Sequence, residues 1–314
     1  MKKAAFTIVM TLLAVAAVAQ ESRTAYNFLR LPVSAHAAAL GGDNITIVED
    51  DPTMMFHNPS LISSVSDKSL NLNYMNYMEG VQTASASFVK VAGERATWGV
   101  MGQYMDYGEM REMTADNVQT GTFSARDIMV GGSFAYALTD RLAGGVTAKF
   151  VASYIGNYSS LAVGVDLGLN YYVDESGLSL SAVARNLGGQ IKAYEDDFER
   201  IPFDLQIGVS KKLRGAPLRL SATMTRLNDW HGSFWNHFVV GADVLLTSRI
   251  YIAGGYNFRR ADEMKIPEAD GESSHGAGLS LGAGLHLDRF KLQLAYAKYH
   301  VSSTSLMVNV TYSL

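Results

Sequence analysis

The stretch Leu142-Ala143-Gly144-Gly145-Val146-Thr147-Ala148-Lys149-Phe150-Val151-Ala152-Ser153-Tyr154 decides the fold. Leu142, Gly144, Val146, Ala148, Phe150, Ala152 and Tyr154 share one face, with Thr147 and Lys149 on the other. Side chains alternate across a strand with period two, so this is an extended segment and not an amphipathic helix. The segment that follows repeats it, with Leu161, Val163, Val165, Leu167, Leu169 and Tyr171 on one face and Asp166 and Asn170 on the other. Later segments read the same way: 238–246 around Asp243, 277–287 around His286, and 306–314 around Asn309 and Thr311. A soluble sandwich also alternates, so length must choose. Strands of globular proteins average about 5–6 residues, whereas about 9–11 residues tilted near 45° cross a bilayer.

Working outward, the period-two pattern places strands at 70–78, 82–91, 96–105, 124–137, 141–155, 158–173, 177–187, 202–213, 217–228, 236–247, 249–259, 275–287, 289–300 and 304–314. Six alternate connections are tight: 92–95, 139–140, 174–176, 214–216, 248 and 288. The long connections, 106–123, 188–201, 229–235 and 260–274, all fall on the other side. Short turns at one rim and longer loops at the other are the pattern of an outer-membrane barrel. The fold expected is therefore all-β, a transmembrane antiparallel barrel of fourteen strands over 70–314. Its ends would both be periplasmic and its long loops extracellular. Trp98, Tyr104, Tyr136, Tyr154, Tyr171, Phe258 and Phe290 stand near the ends of the apolar faces, where half-polar rings suit the headgroup level.

The N-terminus agrees on the compartment. Lys2 and Lys3 precede an apolar run ending in Ala17-Val18-Ala19, so residues 1–19 read as a secretory signal. Without Lys2 and Lys3 the chain keeps 24 basic against 30 acidic side chains, a formal charge of −6 rather than −4. That balance argues against a nucleic-acid partner, which needs a basic face. There is no cysteine, so no disulfide staples the fold.

Residues 20–69 do not alternate. Ala35–Leu40 suggests a helical turn, Gly41-Gly42 follows it, and Asp50-Asp51-Pro52 and Asn58-Pro59 mark turns. The inward strand faces carry Gly164, Gly168, Gly241, Gly255, Gly278, Gly282 and Gly284. Glycine weakens a strand, so such a row suggests another backbone close by. The expected arrangement is an N-terminal plug over 20–69 inside the lumen.

The stretch Tyr26-Asn27-Phe28-Leu29-Arg30-Leu31-Pro32-Val33-Ser34-Ala35-His36-Ala37-Ala38-Ala39-Leu40-Gly41-Gly42 resembles the mature start of the PorV/PorQ family of type IX secretion barrels. Asp50-Asp51 and Asn58-Pro59-Ser60-Leu61 are similar to the Asn-Pro-Ala element shared with the FadL fatty-acid transporter superfamily, with Ser60 in place of the usual alanine. The resemblance implies a Bacteroidota outer membrane and non-catalytic anchoring of a PorZ-like surface protein beside PorV-like and PorU-like components. It leaves a FadL-like channel for hydrophobic small molecules as the alternative. A channel would need an apolar pocket behind the plug and a lateral gap at a kinked strand, whereas the inward face reads as small and polar. Lipid and lipopolysaccharide are the expected surroundings.

Few residues suggest site chemistry. The seven histidines lack metal-ligand spacing, and no cofactor motif occurs. Ser274 and His275 are adjacent and would point to opposite strand faces, which is unsuited to a nucleophile and its base. Acidic runs at 195–199 and 262–272 read as solvated loops. Trp230, His231, Phe234, Trp235 and His237 form the most aromatic loop, a candidate partner-contact surface. The plug motif is Gly41, Gly42, Asn58 and Pro59.

Overall fold

The computed structural model describes residues 24–314 except 117, 231, 269–270, 274–275 and 301–302. The signal-peptide reading of 1–19 lies outside the described residues, as do His231, Ser274 and His275. Fourteen strands form one closed antiparallel barrel: β1 (Ser69–Met78), β2 (Val81–Ala92), β3 (Ala96–Met113), β4 (Gln119–Ala137), β5 (Leu142–Ile155), β6 (Tyr158–Val173), β7 (Leu178–Lys192), β8 (Asp204–Lys212), β9 (Leu218–Met224), β10 (Phe238–Leu245), β11 (Ile250–Asn257), β14 (Leu279–His286), β15 (Phe290–His300) and β16 (Ser303–Ser313). β12 (Ile266–Glu268) and β13 (Gly271–Ser273) pair only with each other in the connection after β11. The seam closes by β1 against β16, with Leu70 opposite Tyr312 and Asn76 opposite Leu306.

Burial is inverted relative to a soluble protein. Along β1, Ser69, Asn71 and Asn73 are buried while Leu70, Leu72 and Tyr74 are exposed, Leu72 at 57%. The same holds for β6, where Asp166 and Asn170 face inward and Val163, Val165, Leu167 and Leu169 face outward. An apolar outer belt with a polar interior is stable only with hydrocarbon outside. Trp98, Tyr104, Tyr136, Tyr171 and Phe290 all stand on that outer face.

Strand boundaries depart from the expected ones where the pairing register shifts. The connection expected at 106–123 is instead a continuation of β3 and β4, which turn only over 114–118. A bulge at Gly108, in the left-handed region at φ 71°, breaks the alternation between Asp106 and Glu109. The ladder then resumes with Met110 opposite Phe123 and Glu112 opposite Gly121. Polar residues occupy both faces there, so the period-two signal fades although the strands go on. β7 likewise runs past its expected end at 187 to Lys192. β9 stops at Met224, short of the expected 228, and Arg226 beyond it is left-handed at φ 52°.

Residues 32–62 are almost wholly buried against the inward strand faces, whereas Ser64 and 66–68 are exposed. Their short helix Ala35–Ala39 and the 3-10 turns Pro52–Phe56 and Pro59–Ser64 pack against inward strand faces. Of the expected glycines, Gly255 meets a second backbone, whereas Gly168, Gly241 and Gly282 meet side-chain atoms of the inner segment. A Cβ on Gly255 would overlap the peptide between Leu40 and Gly41, and one on Gly168 would overlap Asn58 and Pro59. Gly145, outside the expected set, is pressed against the Pro59–Ser60 peptide. Gly278 and Gly284 instead make room for the barrel's own Tyr256 and Tyr251 rings, and Gly164 touches little.

Gly168→Val should therefore force Asn58 and Pro59 away from the wall. Overpacking of this kind costs about 1–3 kcal/mol. The expected result is a lower urea midpoint in detergent, whereas the equivalent change at Gly132, which has open space around it, should move the midpoint little.

Candidate functional site: the filled lumen and the break in its wall

Three polar anchors tie the inner segment to the barrel. In the first, Ser34 caps the helix Ala35–Ala39 by accepting the Ala37 N–H, which sets His36 facing the wall. His36 Nδ1 lies 2.7 Å from Glu49 Oε1, and Nε2 lies 2.6 Å from Asp243 Oδ1. Two carboxylates at those distances require both ring nitrogens to donate, so the ring is an imidazolium. Asp243 Oδ2 also accepts from Arg219 Nε at 2.6 Å, and the ring stacks on Tyr251 at 4.0 Å. Two cations and two anions balance within the lumen.

A second anchor uses the expected plug motif. Asn58 accepts the Ser60 N–H at 3.0 Å and donates to the Ile45 carbonyl at 3.1 Å. Pro59 fixes the first position of the following turn, where a proline ring is pre-organised. Gly41 and Gly42 are both left-handed at φ 106°, and the Gly41 carbonyl accepts from Asn257 Nδ2 at 3.1 Å. At the turn rim, Asp50 pairs with Lys291 of β15.

The third anchor sits where the wall is irregular. The β6–β7 register shifts between Val165 and Leu167, and Asn186 of β7 is left-handed at φ 58°. The β7–β8 ladder ends at Arg185 opposite Asp204, so residues 186–192 pair only with β6. Lys149 holds the kink by pairing with Asp166 at 2.5 Å and donating to Asn186 Oδ1 at 3.0 Å. Asn186 Nδ2 donates to the Pro202 carbonyl, and Arg185 Nη2 reaches the Leu29 carbonyl of the inner segment at 2.9 Å. Where a β8 partner is missing, the chain before β8 and the start of the inner segment stand instead. Ala25 N–H donates to Arg200 O at 2.9 Å, within the single Thr24–Arg200 parallel bridge.

Behind this break the interior is not small and polar, as the sequence suggested. Met101, Met105 and Met129 turn inward and pack with Phe28, Val33, Met55 and Phe56 of the inner segment. That cluster reaches the wall at Ala162 and Ile201, beside the kink. The alternation that sends Trp98 and Tyr104 outward places Met101 and Met105 inward, and their burial shows that they meet the inner segment.

The aromatic loop is split. Trp230, Phe234 and Trp235 are exposed, each by more than half. His237 is buried, donates from Nδ1 to the Thr225 carbonyl at 2.9 Å and lies under Trp230 at 4.3 Å. His237 thus acts as the loop's footing and is not a contact residue. Among the described residues no cluster of three or more His, Asp or Glu side chains is placed to hold a metal. Nothing in the local sequence marks His36, Glu49, Arg219 and Asp243 as a unit.

No protein-family model matches the chain, and no curated protein matches its sequence. Solved structures match its fold. A FadL homologue of Pseudomonas aeruginosa superposes with TM-score 0.52 at 13% identity, covering 89% of this chain and 98% of the other. The CymD monoaromatic hydrocarbon channel gives 0.60 at 13%, covering 90% and 97%. A TodX monoaromatic hydrocarbon channel variant gives 0.57 at 13%, covering 88% and 97%. The fold is that of FadL-like outer-membrane barrels.

Replacing His36 by Leu should leave Glu49 and Asp243 facing each other without their shared cation. Removing one partner of a buried ion network costs about 3–5 kcal/mol. The expected outcome is a marked fall in the urea midpoint, partly recovered when Asp243→Asn is added.

Proposed function

We propose that this chain is a non-catalytic FadL-like channel for hydrophobic small molecules, held closed in the described conformation by its inner segment. The observation that carries this reading is the junction of the β7 break with the methionine-lined interior. A hydrophobic solute has no favourable route through a polar lumen, but it gains by leaving one apolar environment for another. Methionine side chains are flexible and polarisable, so they adapt to varied apolar guests. The likeness to hydrocarbon channels over nearly the whole chain supports the same reading. In this reading the short turns face the periplasm, the longer connections face outward, and the apolar belt contacts lipid and lipopolysaccharide.

A second reading is favoured by the sequence of 26–42 and by the exposed Trp230, Phe234 and Trp235. Here the protein is PorQ-like, and its rim anchors a PorZ-like surface protein beside PorV-like and PorU-like components of a type IX secretion system. Flat exposed aromatic groups at a rim are frequent anchors of protein contacts.

One experiment separates them. Gln190 of β7 and Glu199 touch across the break, with Gln190 Oε1 accepting the Glu199 N–H at 2.6 Å. The chain has no cysteine of its own, so Gln190→Cys with Glu199→Cys introduces one reducible staple there. Uptake of a small aromatic hydrocarbon into proteoliposomes should fall by about tenfold on oxidation and return on reduction. Equal uptake in both states sinks the channel reading. Recovery of a surface protein with PorV-like and PorU-like partners from native outer membranes would then favour the second.

A further inference from the structure

At the loop rim, above the inner segment, a cavity of about 160 Å³ opens between the ends of β1, β9, β11 and β15. At roughly 30 Å³ per water it holds about five waters, enough for one small polyatomic group. Its lining is unlike the methionine cluster below. Arg30, Arg226, Arg259 and Arg260 converge on it, against Asp43, Asp204 and Glu263.

The four arginines differ in how they are used. Arg260 is structural: it donates to the carbonyls of Ala277 and Gly278 and to Ser280 Oγ, and its guanidinium covers the Tyr299 ring at 4.7 Å. The other three keep donors free. Arg259 Nε donates to the Asn236 carbonyl at 3.2 Å, yet its Nη2 is buried with no partner. Its Nη1 is 3.8 Å from Glu263 Oε1, and Arg226 Nη1 is 3.6 Å from the same oxygen, both too long for hydrogen bonds. Arg30 makes only a 3.4 Å contact from Nε to Asn27 Oδ1. Asp204 is occupied in accepting the Arg226 backbone N–H at 2.7 Å and the Gln206 amide. That bond holds Arg226 in its left-handed conformation and aims it at the cavity. Burial, with the like charge of Arg226, pushes the Arg259 guanidinium below its ordinary value, although Glu263, Asp229 and Asp204 act in the opposite sense.

Three guanidiniums with unfilled donors around a small cavity match one ligand chemistry. We propose that this cavity binds a phosphate group presented at the loop rim. A phosphate offers several acceptor oxygens to planar donor forks and carries more charge than a single carboxylate. The proposal is independent of which function the barrel serves, because it needs no movement of the wall, although Asp204 at the end of the β7–β8 ladder lines the cavity.

The test uses the whole barrel in detergent and three calorimetric titrations: inorganic phosphate, micelles carrying phosphatidic acid, and acetate. Phosphate should bind in at least one of the first two, and which one identifies free phosphate or a lipid headgroup as the source. Arg226→Gln with Arg259→Gln should weaken that binding by about tenfold or more, while Arg249→Gln at the opposite rim should leave it unchanged. Heat-modifiable gel migration checks that each variant still forms a barrel; if the double variant does not, Arg30→Gln replaces it. Three results would overturn the assignment: no binding of either phosphate source, binding unaffected in a folded variant, or acetate binding as tightly as phosphate.

Discussion

Hydrocarbon cannot accept or donate a hydrogen bond, and the rest of this structure follows from that. Every backbone N–H and C=O at membrane depth must pair within the protein, so the sheet has to close, and β1 meets β16 over eight residue pairs. The same solvent reverses the usual sorting of side chains. Leu72 is among the most exposed residues of β1, while Asn71 and Asn73 are among the most buried. Polar residues inside a closed barrel need partners too, and fourteen strands enclose more space than their own side chains fill. The inner segment resolves both problems: it fills the volume and supplies carbonyls, hydroxyls and charges for the wall to bond.

Its packing combines two physical devices. Glycines at 145 and 255 let backbone approach backbone, and Gly168 admits the Asn58 and Pro59 side chains, which gives dense contact without wide apolar side chains. The charged network around His36, together with Arg185 on the Leu29 carbonyl, then selects one placement, because a displaced segment would strand ions in a medium where they are costly. Most of the inner segment is held this way. The region between Phe28 and the methionines of β3 and β4 is different, since it relies on apolar contacts alone.

How much of this the sequence revealed depended on the range of each signal. Strand number and the in-out sense were legible because alternation is local: Leu142 to Tyr154 states its own face. The seven inward glycines were legible as a set, although Gly278 and Gly284 proved to accommodate tyrosines of the wall. The extended β3–β4 hairpin was not legible, because a bulge at Gly108 resets the alternation and hydrated strands have no preferred face. The His36 network was hidden for another reason: Asp243 is 207 residues away, and nothing in either local sequence names the other. Unfilled donors at the rim, such as Arg259 Nη2, become recognisable only once the bonds around them have been assigned.

The β7 break brings these strands of reasoning together. An uninterrupted ladder is the cheapest wall in a bilayer, so a strand that leaves its neighbour after Arg185 carries a cost of unpaired backbone. Several groups offset that cost: the Thr24–Arg200 bridge, the Asn186 amide on Pro202 and the Lys149–Asp166 pair all repair the gap. Such repairs could have been avoided by a β8 that continued alongside residues 186–192. Gly188 fits the same pattern, for a Cβ there would strike the Val163 carbonyl, so the close approach of β7 to β6 depends on a residue that weakens strands. Local costs that need this many compensations persist where the irregularity itself is used. On the channel reading, the repaired gap, and not the sealed centre of the lumen, is where a solute would leave through the wall.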